Sequence, residues 1–394
     1  MSNLPKGWKE VKLGDFCDIL DNQRIPISSE KRAEIKGNIP YFGANGVQDY
    51  INDFIFNETL VLLAEDGGNF NDYQTRPIAY MIHGKSWVNN HTHVLRAKNG
   101  ENYFLFYSLV HKDITSFING GTRTKLNRGE LVKIPIFIPP LEEQKKIADI
   151  LSTIDKKIVF VEENISATQE LKKGLMQKLL TEGIGHTEFK DSELGRIPES
   201  WEVKYFKEYA KISVGIATST TEHFVEKGIP LVRNQNIKEN KFDFKELLYI
   251  SEKFSEDNKT KKIKENDLLV IRTGYPGLTA VVTKEMEGWQ TFTTLIVKPN
   301  FNLIDSNFVA YYMNSPFGKN NLSKLEAGGA QKNLNSKSLE KLNIPVAPLK
   351  EQKQIAEILS TVDKKLENLK EKKEAFKKLK KGLMQKLLTG EVRV

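Results

Sequence analysis

Pro140-Leu141-Glu142-Glu143-Gln144-Lys145-Lys146-Ile147-Ala148-Asp149-Ile150-Leu151-Ser152-Thr153-Ile154-Asp155-Lys156-Lys157 decides the fold, because the chain writes it twice. It returns as Pro348-Leu349-Lys350-Glu351-Gln352-Lys353-Gln354-Ile355-Ala356-Glu357-Ile358-Leu359-Ser360-Thr361-Val362-Asp363-Lys364-Lys365, an offset of 208 from Gln144 to Gln352. The same offset carries Gly174-Leu175-Met176-Gln177-Lys178-Leu179-Leu180-Thr181 onto Gly382-Leu383-Met384-Gln385-Lys386-Leu387-Leu388-Thr389. It also carries Gly120-Gly121 onto Gly328-Gly329 and Leu126-Asn127 onto Leu334-Asn335. Near the start of each copy Pro5-x-x-Trp8 matches Pro198-x-x-Trp201, an offset of 193, so the second copy carries 15 extra residues before its Gly-Gly. Repeat ends agree and repeat middles do not. That is the pattern of one frame carrying two different readers.

The frame is helical. Ile147, Leu151, Ile154, Ile158, Val161 and Ile165 recur at 4-3-4-3-4 spacing, and Leu175 and Leu179 rejoin the register. Ile355, Leu359, Val362, Leu366, Leu369, Phe376, Leu383 and Leu387 do the same. An apolar period of about 3.5 residues is a coiled-coil seam. Pro140 and Pro348 start the helices, and Gly183 and Gly390 stop them. Each helix is then about 37 residues, or ~55 Å long. Lys172 and Lys380 fall where the seam expects an apolar residue. Either the seam shifts there onto Leu171 and Leu379, or it tolerates a lysine.

The middles, 1–140 and 184–348, read as mixed α/β. Residues 59–64, 134–138, 267–272, 278–282 and 291–297 are strand-like runs, and 305–314 is a short helix with an Asp305 N-cap. The dipeptides Asn45-Gly46, Gly67-Gly68, Asn99-Gly100 and Asn119-Gly120 mark turns. The expected division is 1–140, 141–183, 184–348 and 349–394, with the two helical stretches as spacers. The fold class is α+β: two mixed domains and two long antiparallel helices in an internally repeated chain.

Composition sets outer limits. The chain has 394 residues, 39% of them hydrophobic, and a formal net charge of +8. It is not a disordered chain. A single cysteine, Cys17, excludes a disulfide framework and any multi-cysteine metal site. No apolar run approaches the roughly 20 residues of a membrane span, and no signal core opens the sequence. A soluble cytoplasmic protein is the expectation. Most of the charge sits on the second helix. Between Lys350 and Lys386 twelve lysines face six acids, a net of +6.

Catalytic motifs are missing. Gly84-Lys85-Ser86 resembles the end of a P-loop, but Ala79 stands where the first glycine is required. His91-x-His93 would face one way on a strand, yet no neighbouring Cys or acidic cluster completes a three- or four-ligand site, so no metal is expected. Cys17 reads as core. The sequence holds no Gly-x-Ser-x-Gly elbow, no His-Glu-x-x-His, no dinucleotide fingerprint and no Asn-Pro-Pro-aromatic tetrapeptide.

What remains are loops suited to base edges and phosphates. In the first copy they hold Asn45, Asn69, Arg76, His91, Arg123 and Lys125; in the second, Arg233, Asn234, Gln235, Arg272, Tyr275, Gln331 and Lys332. Arg and Lys donate to guanine O6/N7, Asn and Gln pair with adenine, and glycines admit a phosphate close to the backbone. These thirteen residues are the candidate DNA contacts.

The doubled Pro-Leu-x-Glu-Gln-x-x-Ile-Ala-x-Ile-Leu-Ser-Thr segment, the helix ending Lys-Gly-Leu-Met-Gln-Lys-Leu-Leu-Thr and the Trp-led start of each copy closely resemble the specificity subunit of type I restriction–modification systems. Segments 41–46 and 230–236 look like pieces of that family's target recognition domains. The resemblance covers essentially the whole chain, with the helical repeats as its specific part. It implies an antiparallel helical pair acting as a ruler between two recognition domains related by an approximate twofold axis. Each domain would read one half of a bipartite, asymmetric double-stranded DNA target. It further implies two methyltransferase subunits, bringing S-adenosylmethionine-dependent adenine-N6 methylation, and two restriction/translocase subunits using ATP and Mg2+. This chain would bind no cofactor and catalyse nothing alone. The competing reading is a coiled-coil scaffold whose end domains bind proteins and whose DNA binding, if any, is non-specific and lost steeply with salt.

Overall fold

The computed structural model describes residues 4–98, 100–119, 124–326 and 333–394. The chain divides into two units, Met1–Glu163 with Lys370–Val394, and Asn164–Leu369. No helix among the described residues is long and apolar enough to cross a membrane.

The first unit is built on a four-stranded antiparallel sheet in the order Cys17–Ile19, Thr92–Ala97, Leu60–Ala64, Ala79–Ile82. The run Leu60-Val61-Leu62-Leu63-Ala64 is buried throughout, because both faces of this sheet are covered. Alternation sends Val61 and Leu63 to one side, where the helix Asn102–Leu109 supplies Leu105 and Leu109. It sends Leu60 and Leu62 to the other, against Phe56 and Val88 of a second sheet. That sheet runs Gly46–Ile51, Lys36–Gly43, Lys85–Val88, Phe56–Asn57, with a parallel pairing of Tyr41 with Trp87 and Phe42 with Val88. A two-stranded ribbon of Lys9–Lys12 and Pro135–Ile138 closes the domain at the root of the first long helix.

The second unit repeats this plan with other side chains. One sheet runs Ala210–Val214, Leu295–Pro299, Leu268–Val270, Thr279–Val281; the other runs Phe224–Val225, Leu248–Ile250, Ile229–Val232, Gln290–Thr291. Its parallel pairing is Leu231 with Gln290 and Val232 with Thr291, and its closing ribbon is Glu202–Tyr205 with Asn343–Val346. The predicted helix forms over Ser306–Asn314, and the Asp305 carboxylate accepts from Phe308 N–H at 3.0 Å. The predicted strand over 291–297 is broken in two. Gln290–Thr291 belongs to one sheet and Leu295–Pro299 to the other, so the chain crosses between sheets at 292–294. Thr293 takes φ +56 there, and Thr291 Oγ1 donates to the Val232 carbonyl at 3.0 Å.

The long helices are Leu141–Leu179 and Leu349–Leu387, 39 residues each. In the first unit Lys380 pairs with Asp155 at 2.6 Å and Lys373 with Glu162 at 2.8 Å. Seven residues forward on one helix are seven residues back on the other, so the segments run antiparallel. Ile147 and Leu151 are buried with Leu387 beneath Trp8 and Phe104. Ile154 and Val161 are also buried, and Ile158 is half-buried. In the second unit Lys172 pairs with Asp363 at 2.7 Å, and Leu179 and Leu180 share a core with Ile355 and Leu359. Val362 and Leu366 are buried and Leu369 half-buried.

The two seam lysines therefore stay in the seam. Leu171 and Leu379 are 52% and 49% exposed, so the seam does not move onto them. Each ammonium meets an aspartate that also accepts a tyrosine hydroxyl. Tyr107 O–H donates to Asp155 at 2.7 Å, and Tyr311 O–H donates to Asp363 at 2.9 Å. A half-buried polar pair in an otherwise apolar seam fixes its register.

The repeated motif residues are joints. Trp8 Nε1 donates to Glu143 Oε2 at 3.3 Å, and Trp201 Nε1 to Glu351 Oε2 at 3.1 Å. Gln144 and Gln352 donate to the carbonyls of Pro139 and Ala347 at 2.9 and 2.7 Å. Both buried carboxylates have partners besides the indole: Arg393 at 2.6 Å on Glu143, and His186 at 2.9 Å on Glu351. A buried charge without such partners would be strongly destabilising.

Candidate nucleic-acid interface

In the first unit three loops meet at one end of the main sheet. Residues 65–69 leave the strand Leu60–Ala64, residues 89–91 cross between the two sheets, and Lys125 returns antiparallel to Asp66 and Asn119. The backbone fixes the meeting. Leu126 N–H donates to Glu65 O at 2.7 Å, and Glu65 N–H donates to His91 O at 2.9 Å. Asn45, in the turn between the strands Lys36–Gly43 and Gly46–Ile51, donates its amide to Gly67 O at 2.9 Å. His91 Nδ1 lies 2.7 Å from Asp66, and Lys125 Nζ lies 3.1 Å from Glu65. Asn45, His91 and Lys125 thus sit on one polar rim. Asn69 braces the loop from within, its amide donating to Pro77 O at 3.1 Å. Arg76 is exposed on the outer part of that loop, 3.8 Å from Asp72. Arg123 lies outside the described residues.

His91 and His93 do not act together, contrary to the strand expectation. The strand begins only at Thr92, so His91 lies in the crossing and is partly exposed, whereas His93 is 1% exposed. His93 Nε2 donates to Leu126 O at 2.8 Å, and its Nδ1 meets Asp21 at 2.6 Å. Asp21, Glu65 and His93 bring three ligand-type atoms within 4.8 Å, an acidic cluster the sequence did not reveal. Arg24 pairs with both of its carboxylates, at 2.6 Å from Glu65 and 3.5 Å from Asp21, and also donates to Thr92 O at 2.8 Å. One guanidinium is thereby shared by the two carboxylates. Burial raises the Asp21 carboxyl. The His93 hydrogen bond and charge, the Val94 N–H and Arg24 outweigh it and leave the group below the ordinary carboxylate range. Burial likewise raises Glu65, and Arg24, His93 and Lys125 bring it down on balance. This network is the foundation of the rim. Asp21 and Arg24 escaped the sequence reading because nothing local marks them; Arg24 lies 41 residues from Glu65 and Asp21 lies 72 residues from His93.

The second unit places the same backbone device under different side chains. Leu334 N–H donates to Arg272 O at 2.9 Å, and Thr273 lies antiparallel to Asn333. Arg272 therefore stands where Glu65 stands in the first unit, Gly274 where Gly67 stands, and Tyr275 where Gly68 stands. The Leu334 carbonyl accepts from Arg272 Nε at 3.2 Å, whereas the Leu126 carbonyl accepts from His93. Asn234 donates to Thr273 Oγ1 at 3.1 Å, bringing Asn234, Arg272 and Tyr275 onto one rim. Arg233 donates through Nη2 to Glu246 O at 3.1 Å, beside the short turn that Asn236 holds. Gln235 is exposed on that turn. Arg233 Nε and Asn234 Oδ1 are buried with no hydrogen-bond partner among the described residues. Gln331 and Lys332 lie outside the described residues.

Comparison with known proteins agrees with this duplicated plan. The profile of the type I restriction modification DNA specificity domain matches residues 5–170 and again 198–378. The chain is 31% identical over 416 residues to the type I restriction enzyme MjaVIII specificity subunit of Methanocaldococcus jannaschii, spanning 99% of this chain and 94% of that one. It is 29% identical over 436 residues to the putative MjaX specificity subunit of the same organism, spanning 100% and 96%. The fold matches the crystal structure of the S subunit of a type I restriction–modification system from M. genitalium, with a TM-score of 0.65, 15% identity, and 98% and 97% of the two chains covered. The chain belongs to the type I restriction–modification DNA specificity family.

Proposed function

We propose that this chain is the non-catalytic subunit that reads a bipartite, asymmetric double-stranded DNA target, one half-site per domain. One observation supports this above all. Two loop rims are held by equivalent backbone hydrogen bonds, Leu126 to Glu65 and Leu334 to Arg272, yet carry side chains of opposite charge. A duplicated structural role would repeat its side chains, as the joints at Trp8 and Trp201 do. A duplicated reading role changes them.

Residues 1–140 and 184–348 are the readers in this proposal, and 141–183 and 349–394 the spacers. Asn45, Arg76, His91, Arg123 and Lys125 contact one half-site, and Asn69, whose amide is turned inward to Pro77, supports their loop. Arg233, Asn234, Gln235, Arg272, Tyr275, Gln331 and Lys332 contact the other. Two methyltransferase subunits and two restriction/translocase subunits assemble on the chain, and S-adenosylmethionine, ATP and Mg2+ enter through them. The test is to purify the chain with its methyltransferase partner and map the adenines the complex methylates. A discrete motif in two parts separated by an unread spacer is expected. Methylation without any such motif overturns the proposal.

A further inference from the structure

The most exposed large apolar side chain in the molecule's described residues is Tyr275, at 79%. It stands at the tip of the turn Gly274-Tyr275-Pro276-Gly277, and its place is fixed by backbone. Ile271 and Leu278 close the loop through Ile271 N–H on Leu278 O and Gly277 N–H on Ile271 O, each at 2.9 Å. Both flanking glycines take positive φ, +85 at Gly274 and +87 at Gly277, a conformation that a residue with a Cβ resists. Pro276 removes further freedom. A bulky aromatic ring is thus held out in solvent on a short, stiff loop, where burial elsewhere in the protein cannot stabilise it.

Its neighbours are polar groups with hydrogen-bonding capacity left over. Arg272 lies three residues back on the rim. Asn234 reaches the same loop through Thr273, and its Oδ1 is buried without a partner. In the first unit the equivalent position is Gly68, and Gly67 beside it has open space around the place a Cβ would occupy. The ring is therefore a property of one reader only.

We propose that Tyr275 is a stacking wedge. It inserts its ring between adjacent base pairs of the half-site read by the second domain, while Arg272 and Asn234 hold the neighbouring base edges. This deepens the DNA-reading proposal and rests on it. A wedge partly unstacks one step and is favoured where the step is deformable. Pyrimidine–purine steps are the most deformable, so the second half-site should contain one at the wedge position and the first half-site need not.

The experiment uses the complex of this chain with its methyltransferase, and duplexes carrying the motif that methylation mapping defines. 2-Aminopurine is placed in turn at each purine of both half-sites except the methylated adenine. Tyr275→Ala and Tyr275→Phe are compared with the unaltered chain. Wedge insertion gives a fluorescence rise at one step of the second half-site. Tyr275→Ala abolishes the rise and weakens binding by on the order of 10- to 100-fold, the range that stacking one base accounts for. Tyr275→Phe keeps both, because the ring and not the hydroxyl does the stacking. Melting temperatures stay unchanged, since the side chain buries little. Equal loss with Tyr275→Phe overturns the wedge in favour of a hydroxyl contact. No rise at any step, or unchanged affinity with Tyr275→Ala, overturns it outright. If the complex binds no discrete motif at all, the DNA-reading proposal fails first, and the two failures are told apart.

Discussion

Replacing Tyr107 by Phe isolates one joint between a reader and its helix. The substitution keeps the ring and its packing against Phe104, Ile147 and Leu151, and removes only the hydroxyl that donates to Asp155 at 2.7 Å. A hydrogen bond to a charged group contributes about 1.5–3 kcal/mol. Asp155 keeps Lys380 at 2.6 Å and is about one-third exposed, so the lower end, about 1.5 kcal/mol, applies. For a unit of this size that is a fall of about 3–6 °C in Tm by scanning calorimetry. The pH dependence supplies a sharper test. Burial first, then the Asp155 carboxylate, push the Tyr107 hydroxyl well above its ordinary value. A raised folded pKa means that this stability is complete below the unfolded tyrosine pKa of about 10 and drains away as pH rises toward the folded value. The unaltered chain should therefore lose more stability between about pH 10 and 11 than Tyr107→Phe does. Tyr311 is raised by burial and by Asp363 in the same way, so Tyr311→Phe should behave alike in the second unit. Urea unfolding free energies within about 0.5 kcal/mol of the unaltered chain, or an identical alkaline slope, would refute the joint.

Other substitutions probe the seam, the network and the rim. Leu151→Ala and Leu359→Ala each open a cavity at a fully buried seam position and should cost about 2–5 kcal/mol in urea unfolding. Exchanging the charges of one seam pair, Asp155→Lys with Lys380→Asp, should recover most of the stability that either change alone removes; a double-mutant cycle showing no coupling contradicts the pairing. Asp21 has a folded pKa below its ordinary value, so its contribution is present above about pH 4 and disappears as pH falls further. Asp21→Asn should accordingly flatten the acid limb of the stability curve, which calorimetry between pH 5 and 3 reads directly. Arg272→Ala should weaken binding at one half-site only, by about 1–3 kcal/mol in fluorescence anisotropy; a uniform loss over all sequences marks a phosphate contact instead.

The frame was legible because its signals are local and periodic. Ile147, Leu151 and Ile154 announce a helix by spacing alone, and the 39-residue helices begin at the residues after Pro140 and Pro348. The strand over 291–297 was legible in composition but not in its break, since β-branched residues favour a strand whether or not it changes sheets. The fate of Lys172 and Lys380 was open in the sequence because their partners, Asp363 and Asp155, lie far along the chain and on the other long helix. The rims were legible only as clusters of residue types. Asn45 and His91 fell together on one because hairpin and crossing happen to share a sheet end, and Asn69, of the same chemical type as Asn45, turned inward to Pro77.

Charge illustrates how pairing changes a sequence-level argument. A net +6 on one helix would, if left unpaired, offer a basic face to DNA or to an acidic partner. Several of those lysines have other duties. Lys380 lies in the seam on Asp155, Lys373 binds Glu162, Lys377 binds Glu374, and Lys386 binds Glu391. Lys372 and, from the first helix, Lys157 each approach the Phe376 ring at 5.9 Å. Within the first unit this lysine excess is thus partly the complement of Asp155 and Glu162 on the facing helix. Long-range attraction falls with every such pair, and specificity cannot come from a uniform basic helix in any case. It has to come from positions where the two units differ, and Glu65 against Arg272 is the plainest of these. Placing the first unit's acid at the equivalent position of the second rim tests the division of labour directly. If the rims read DNA and the helices only space them, Arg272→Glu should abolish the methylation motif of one half-site while the helical pair and its melting temperature remain as they were.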